Sequence, residues 1–162
     1  MGKARIRPIA LGLIEYEHHL FVSKGRDSTD GSDFYRFLGG GIDFGETSLD
    51  ALKREFQEEI QAELTHIHYL GCLENIFTCH GKAGHELIQL FRCDFVDSHF
   101  YQLEQTFTLI EGKDTHDAIW IPIAGIRAGQ LNLVPLSCYP FFLTKHAADG
   151  ALFVNAPDGF AQ

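Results

Sequence analysis

Three glutamates in one short segment have the spacing of a metal-binding cluster. Glu55, Glu58 and Glu59 follow one another closely, and Arg54 directly precedes them. On a helix, which turns about 100° per residue, their carboxylates would share an arc of roughly 100°. Like charges four residues apart weaken an isolated helix by about 0.2–0.5 kcal/mol. A hard divalent cation would offset this repulsion, because Mg²⁺ prefers carboxylate oxygens and commonly bridges to substrate phosphates.

The same acids could instead form a solvated helix face, which is the usual meaning of an acidic run. The residues ahead of the cluster favour the metal interpretation. Three consecutive glycines, Gly39-Gly40-Gly41, and a further acid, Glu46, precede it at a short distance. Together these residues predict one site built from a glycine-rich loop and an acidic helix.

The composition restricts the class of protein and its partners. The chain has 162 residues, 45% of them apolar, which suits one domain over residues 1–162 and excludes a disordered chain. Its 13 basic and 22 acidic residues give a net charge of −9, which argues against a nucleic-acid duplex or an anionic membrane as the partner. No apolar run approaches the ~20 residues that cross a bilayer. The four cysteines form no C-x-x-C pair, so we expect reduced thiols in a cytoplasmic protein.

Hydrophobic periodicity predicts strands on both sides of one helix and therefore a mixed α/β domain. Residues 5–15 and 19–23 are expected to form a hairpin, followed by a polar loop over residues 24–33. A short strand over 34–38 then leads into the glycines. The remaining predicted elements are strands at 65–79 and 85–96 around a turn at 81–84, strands at 106–111 and 117–123, and a last helix at 137–148.

The central helix is predicted to begin after Thr47, whose hydroxyl can cap it, and Asp50 completes a pair like a capping box. Its apolar face is predicted from four residues at helical spacing, namely Leu49, Leu52, Phe56 and Ile60. The three carboxylates should lie along the edge of this face.

Residues 40–62 resemble the Nudix box of the Nudix hydrolases, G-x5-E-x7-R-E-U-x-E-E-x-G-U, in which U is a bulky apolar residue. Every charged position is filled, by Glu46, Arg54, Glu55, Glu58 and Glu59, with Gly40 as the first glycine. One position departs, because Gln61 stands where the signature has a glycine that lets the helix end at positive φ. We therefore expect the helix to continue past Gln61 or to end in another turn.

The resemblance implies an α/β Nudix fold, with a mixed β-sheet between helices, and a divalent metal site. In that site Glu55, Glu58 and Glu59 would bind Mg²⁺ or Mn²⁺, helped by the backbone carbonyl of Gly39. Asp114 is the candidate for a further acidic ligand from a late loop, and Glu111 is the second candidate. The alternative for both is a solvated loop acid.

The resemblance also implies an ion pair between Glu46 and Arg54 that ties the loop to the helix and so positions the ligands. With Glu58 and Glu59, this pair makes up the expected catalytic set. Candidate substrate-binding residues are Arg36, in the approach to the box, and His85 and Glu86, beside the 81–84 turn. Ordinary hairpin polarity would explain the last two equally well.

The function implied by the resemblance is Mg²⁺- or Mn²⁺-dependent hydrolysis of a nucleoside diphosphate linked to another group. Water would attack phosphorus, and Glu58, Glu59 or Asp114 would take the proton. The sequence lacks the motifs that are typical of other substrate subgroups in this family, so nucleoside triphosphates or related small nucleotides are the favoured substrates. Two alternatives remain, a nucleotide-sensing domain without catalysis and a module whose acidic helix binds a basic partner. The oligomeric state is open, a homodimer included.

Overall fold

Two β-sheets and one long helix make up most of the chain in a computed structural model, which describes residues 5–79 and 81–143. The first sheet has the strand order β5-β1-β7-β6 and the second has the order β10-β4-β3-β9-β8, with β2 also paired to β3. The strands are β1 Arg7–Leu13, β2 Glu15–Tyr16, β3 His19–Arg26, β4 Asp33–Arg36, β5 Leu38–Gly41, β6 Leu64–Cys79, β7 Lys82–Phe95, β8 Phe107–Glu111, β9 Asp114–Pro122 and β10 Leu133–Val134. The helices are α1 Ser48–Ile60, α2 Ile123–Arg127 and α3 Pro140–Leu143, with 3-10 turns at Ser98–Phe100 and Leu136–Cys138.

Strand β1 is buried on both faces and separates two apolar clusters. Ala10 packs in a cluster that contains Leu52 and Phe56 of α1. Ile9 and Leu11, on the other face, pack with α2 and α3 residues, including Ile123, Ile126 and Phe142. Sheet strands therefore lie between helices, which confirms the predicted α/β architecture.

The predicted hairpin between residues 5–15 and 19–23 is confirmed only at its turn, where β2 pairs with β3, whereas β1 is not part of it. Strand β1 pairs in parallel with β7 and antiparallel with β5, whereas β3 belongs to the other sheet. Only the two residues of β2 turn back onto β3. The reason lies in burial, because a central strand covered on both faces reads as a continuous apolar run and takes distant partners.

The glycine run is part of the first sheet. The predicted strand over 34–38 is divided, because β4 lies in the second sheet and β5 in the first. Gly39 has φ of 131°, and a Cβ at this position would collide with the carbonyl of Ala10 across the β1–β5 pair. Glycine is thus required at this position of β5, because the backbone of β1 approaches it closely and φ is positive.

Helix α1 begins as predicted. The Asp50 N–H donates to Thr47 Oγ1 at 3.1 Å, and that hydroxyl donates to Asp50 Oδ2 at 2.7 Å. Leu52, Phe56 and Ile60 are buried, but Leu49 is 37% exposed, which corrects its assignment to the apolar face. The buried face also includes Ala51 and Glu59, so its centre is turned away from Leu49.

The end of α1 shows what replaces the missing glycine. Gln61 adopts the left-handed conformation, with φ of 52° and ψ of 36°. Its N–H donates to the Gln57 carbonyl, and the Ala62 N–H donates to the Phe56 carbonyl, both at 3.1 Å. The bond from Gln61 is the one that defines the left-handed C-cap that glycine usually serves. The helix therefore ends at Ile60, as a glycine would make it end, and does not continue.

The later elements follow the predicted order. Strands β6, β7, β8 and β9 confirm the four later strands, although β7 begins at Lys82, inside the predicted turn. The predicted last helix corresponds to the 3-10 turn at Leu136–Cys138 and to α3, and its residues 144–148 lie outside the described residues. Among the helices of the described segments, none is long and apolar enough to cross a membrane.

Candidate metal and substrate site

A cleft of about 190 Å³ lies where the C-terminal half of α1 meets both sheets. Its acidic residues are Glu59 from α1 and Glu111 from β8, and its basic or titratable residues come from β3, β4 and β9. The full lining is Ser23, Lys24, Gly25, Phe34, Arg36, Phe37, Leu38, Gly39, Glu59, Leu109, Glu111 and His116.

Glu59 is the most unusual residue of the cleft. Glu59 is only 7% exposed, and its Oε2 is buried without a hydrogen-bond partner in the described structure. Burial, together with the negative charges of Glu55 and Glu111, raises the pKa of this carboxyl to about 8, although a hydrogen bond from the Gly39 backbone opposes the shift. The protein alone therefore leaves one carboxylate oxygen without compensation.

Arg54 joins the glycine-rich loop to the acidic helix. Its Nε and Nη2 donate to the two oxygens of Glu46 at 2.8 and 2.9 Å, and Nη2 also donates to the Gly41 carbonyl at 2.9 Å. The hydrogen bond from Arg54 lowers the pKa of Glu46 to about 2, helped by the Asp43 N–H, which donates to the same carboxylate. The predicted Glu46–Arg54 ion pair is confirmed.

The same guanidinium holds two of the three predicted ligands. Arg54 Nη1 donates to Glu55 Oε1 at 2.9 Å and to Glu58 Oε2 at 3.3 Å. The Glu55 side chain is 16% exposed, whereas that of Glu58 is 61% exposed. Burial therefore increases from Glu58 to Glu55 to Glu59, although sequence spacing alone placed all three in one arc.

Gly40 makes room for Glu55. A Cβ built on Gly40 would lie 2.5 Å from Glu55 Cδ, closer than real Cβ contacts. By contrast, a Cβ on the next residue, Gly41, would meet nothing within 4 Å. The first glycine of the box is therefore a steric requirement of the carboxylate beside it.

These residues fit a divalent cation in chemistry, though not as a finished cage. Within residues 5–79 and 81–143, no three Asp, Glu, His or Cys side chains are gathered into a metal-binding group. Arg54 holds Glu55 and Glu58 instead. A hard cation such as Mg²⁺ or Mn²⁺ prefers oxygen ligands of this kind. It would also offset the repulsion between the carboxylates and would give Glu59 Oε2 a partner.

Of the two candidates for a further acidic ligand, the structure favours Glu111, the second candidate, over Asp114, the first. Glu111 lines the cleft and its charge acts on Glu59, whereas Asp114, the first residue of β9, is exposed and is not part of the lining. His116, which the sequence interpretation missed, lines the cleft next to Glu111, with Nε2 3.7 Å from Oε2. The signal was available, because a hairpin folded at Gly112 pairs His116 with Leu109 of the lining.

Only some of the predicted substrate-binding residues face the cleft, because successive residues of a strand point to opposite faces of the sheet. Arg36 lines the cleft. Glu86 is 3% exposed and accepts hydrogen bonds from Arg36, so it supports the cleft from outside the lining. His85 points to the opposite face of β7, where its Nε2 lies 2.8 Å from Glu74 Oε1, and it does not reach the cleft. Lys24 lines the cleft and pairs with Asp33 at 2.9 Å.

The family model of the NUDIX domain matches residues 6–140. The chain belongs to the Nudix family. A curated relative, the NAD-capped RNA hydrolase NUDT12 of Pongo abelii, is 24% identical over 133 residues, which cover 78% of this chain. The chain spans only 29% of that relative's length.

Solved structures agree with the family assignment at the level of the fold. The solution structure of the E. coli ORF135 protein has a TM-score of 0.56 at 20% identity, covering 86% of this chain and 88% of that one. A MutT structure from work on Aliivibrio salmonicida and Vibrio cholerae has a TM-score of 0.52 at 18% identity, covering 86% and 95%. The predicted family and fold are thus confirmed, and the assignment supports the predicted enzyme class, a hydrolase of phosphoric anhydrides.

Proposed function

We propose that this Nudix chain is a divalent-metal-dependent pyrophosphohydrolase that cleaves a nucleoside diphosphate linked to another group. One observation carries the proposal, namely the buried Glu59 carboxylate, whose Oε2 has no partner in the described structure while Glu55 and Glu111 add negative charge nearby. Leaving a buried carboxylate unpaired costs several kcal/mol unless it binds a proton or a cation. The family assignment favours the cation.

Glu55, Glu58 and Glu59, with the Gly39 carbonyl, would hold Mg²⁺ or Mn²⁺ in this proposal, and Glu111 replaces Asp114 as the candidate for a further ligand. A bound cation neutralises the charge of the diphosphate and lowers the pKa of water. Arg54 keeps Glu55 and Glu58 in place through its hydrogen bonds, and Glu46 anchors Arg54 to the loop. Together these residues prepare the ligand set before the substrate binds.

Glu58 or Glu59 would accept the proton of the attacking water. Glu58 is the more accessible of the two, since its side chain is 61% exposed. The cations that line the cleft, Lys24 and Arg36, would contact the phosphates of the substrate.

The proposed substrate class comes from the sequence and from one relative. Nucleoside triphosphates or related small nucleotides are the first candidates from the sequence. The relative from Pongo abelii is named for hydrolysing NAD-capped RNA, which also contains a diphosphate linkage, so dinucleotides of that type belong in the same panel.

The test is the release of nucleoside monophosphate from a panel of nucleoside triphosphates, nucleoside diphosphate sugars and dinucleotides, with Mg²⁺ or Mn²⁺ and with chelator. We expect turnover that chelator abolishes. Glu58→Gln should lower kcat by orders of magnitude without unfolding the protein, whereas Glu63→Gln, an exposed acid beyond the helix end, should retain activity. Unchanged turnover in Glu58→Gln would exclude Glu58 as the base. Nucleotide binding without turnover would indicate a nucleotide-sensing domain. If the protein neither bound nor hydrolysed nucleotides, the interaction module would be the remaining alternative.

A further inference from the structure

The buried carboxylate of Glu86 holds a residue of the cleft without lining the cleft itself. Arg36 Nη2 donates to Glu86 Oε1 at 3.2 Å and to Oε2 at 3.3 Å. Asn75 Nδ2 donates to Oε2 at 3.4 Å, and Arg7 Nη1 lies 3.8 Å from Oε1. These partners come from β4, β6 and β1, so the carboxylate joins strands of both sheets.

The guanidinium of Arg36 is only partly used by the protein. It carries five N–H donors, and Glu86 takes only those of Nη2. In the two described segments, Nε and Nη1 of Arg36 donate to no acceptor. The side chain is 35% exposed and lines the cleft together with Gly39 and Glu59. Three donors therefore remain for a ligand in the cleft.

We propose that Glu86 is a positioning residue, which holds the Arg36 guanidinium so that its remaining donors bind a phosphate oxygen of the substrate. This inference rests on the proposed function. A planar guanidinium matches phosphate oxygens with fixed geometry. A long side chain that is already held loses less rotamer freedom when the ligand arrives, which strengthens binding.

A buried ion pair that serves only the fold is the competing explanation. It would make Glu86 important for stability and unimportant for affinity. The chain offers two control residues, because Asn75 and Arg7 touch the same carboxylate but do not line the cleft. A positioning role acts through Arg36 alone. Substitution of Glu86 should therefore have no further effect on affinity once the guanidinium group of Arg36 has been removed.

The test measures, by calorimetry with Mg²⁺, the Kd of the α,β-methylene analogue of ADP, together with the melting temperature. Glu86→Gln and Arg36→Lys should each raise Kd about tenfold, since the lysine keeps the charge but loses the free fork. The double variant should bind no more weakly than Arg36→Lys. Asn75→Ala and Arg7→Ala should stay within about twofold of the original protein. On a hydrolysed nucleotide, Glu86→Gln should raise KM and change kcat by less than about threefold.

Two results would overturn the positioning role. One is a lower melting temperature in Glu86→Gln with an unchanged Kd, and the other is a double variant whose losses multiply. If the analogue binds but no nucleotide is hydrolysed, the proposed function fails while the Kd comparison still decides the role of Glu86. If the analogue does not bind to the original protein, both proposals fail.

Discussion

Replacement of Gly40 by alanine should damage the proposed metal site while sparing the fold. The added Cβ would lie 2.5 Å from Glu55 Cδ, whereas ordinary contact begins at 3.4 Å, so the carboxylate must retreat by about 1 Å. A displacement of about 1 Å in a catalytic group can cost roughly 10²-fold in rate, or about 2.7 kcal/mol of activation free energy. The moving group is the flexible end of a side chain, so the free energy of unfolding should change by less than about 1 kcal/mol.

The two neighbouring glycines supply matched comparisons. Gly41→Ala adds the same methyl group into open space, so it should keep both activity and stability. Gly39→Ala forces positive φ on alanine and a collision with the Ala10 carbonyl, so it should lose about 2 kcal/mol or more of stability. The assays are kcat for metal-dependent nucleotide hydrolysis and urea unfolding. Full activity in Gly40→Ala, or an equal loss in Gly41→Ala, would refute the steric argument.

Three further outcomes concern stability and reactivity. Gln61→Gly should raise the free energy of unfolding by about 1 kcal/mol, because the left-handed cap is costly for a residue with a side chain. In metal-free protein, the free energy of unfolding should fall as the pH rises from about 4.5 to about 8, because folded Glu59 keeps a proton that the unfolded chain releases. Glu59→Gln should therefore stabilise the protein by about 1–3 kcal/mol at pH 9 and have little effect at pH 4.5. Among the four thiols, Ellman's reagent should react slowly with the two buried ones, whose pKa burial raises to about 12, namely Cys93 and Cys138.

Each of these outcomes has a control on the same chain. Gln57→Gly, at an exposed position in the last turn of α1, should destabilise by up to about 1 kcal/mol, opposite in sign to Gln61→Gly. For Glu59→Gln, the control is the original protein at about pH 4.5, where the two proteins should differ little in stability because folded Glu59 is protonated. The exposed thiols, Cys72 and Cys79, should react in the folded protein. A pH-independent gain in Glu59→Gln would contradict its raised pKa.

Local rules made the helix and the Glu46–Arg54 ion pair predictable. The cap at Thr47, the buried Leu52 and Phe56 and the Glu46–Arg54 ion pair all depend on residues close in sequence, for which helix period and spacing are sufficient. The error at Leu49 arose where this rule ends, because the face that a helix buries depends on what it packs against.

The partners of β1 could not be predicted in the same way. Its apolar run is compatible with a neighbouring hairpin and with a central position, and only the complete sheet selects the parallel pairing with β7. That choice also sets the cleft, since β5, which pairs on the other edge of β1, carries Gly39 into the site.

The sequence by itself determined which residues are candidates for the chemistry, because a fixed spacing of acids and glycines specifies a helix face and a loop before any tertiary contact forms. The tertiary structure decided how those residues differ. It buried Glu59 and left Glu58 in solvent, brought Glu111 to the cleft in preference to Asp114, and set Glu86 behind Arg36. Burial and long-range pairing depend on the packing of the whole chain, and no local spacing contains them.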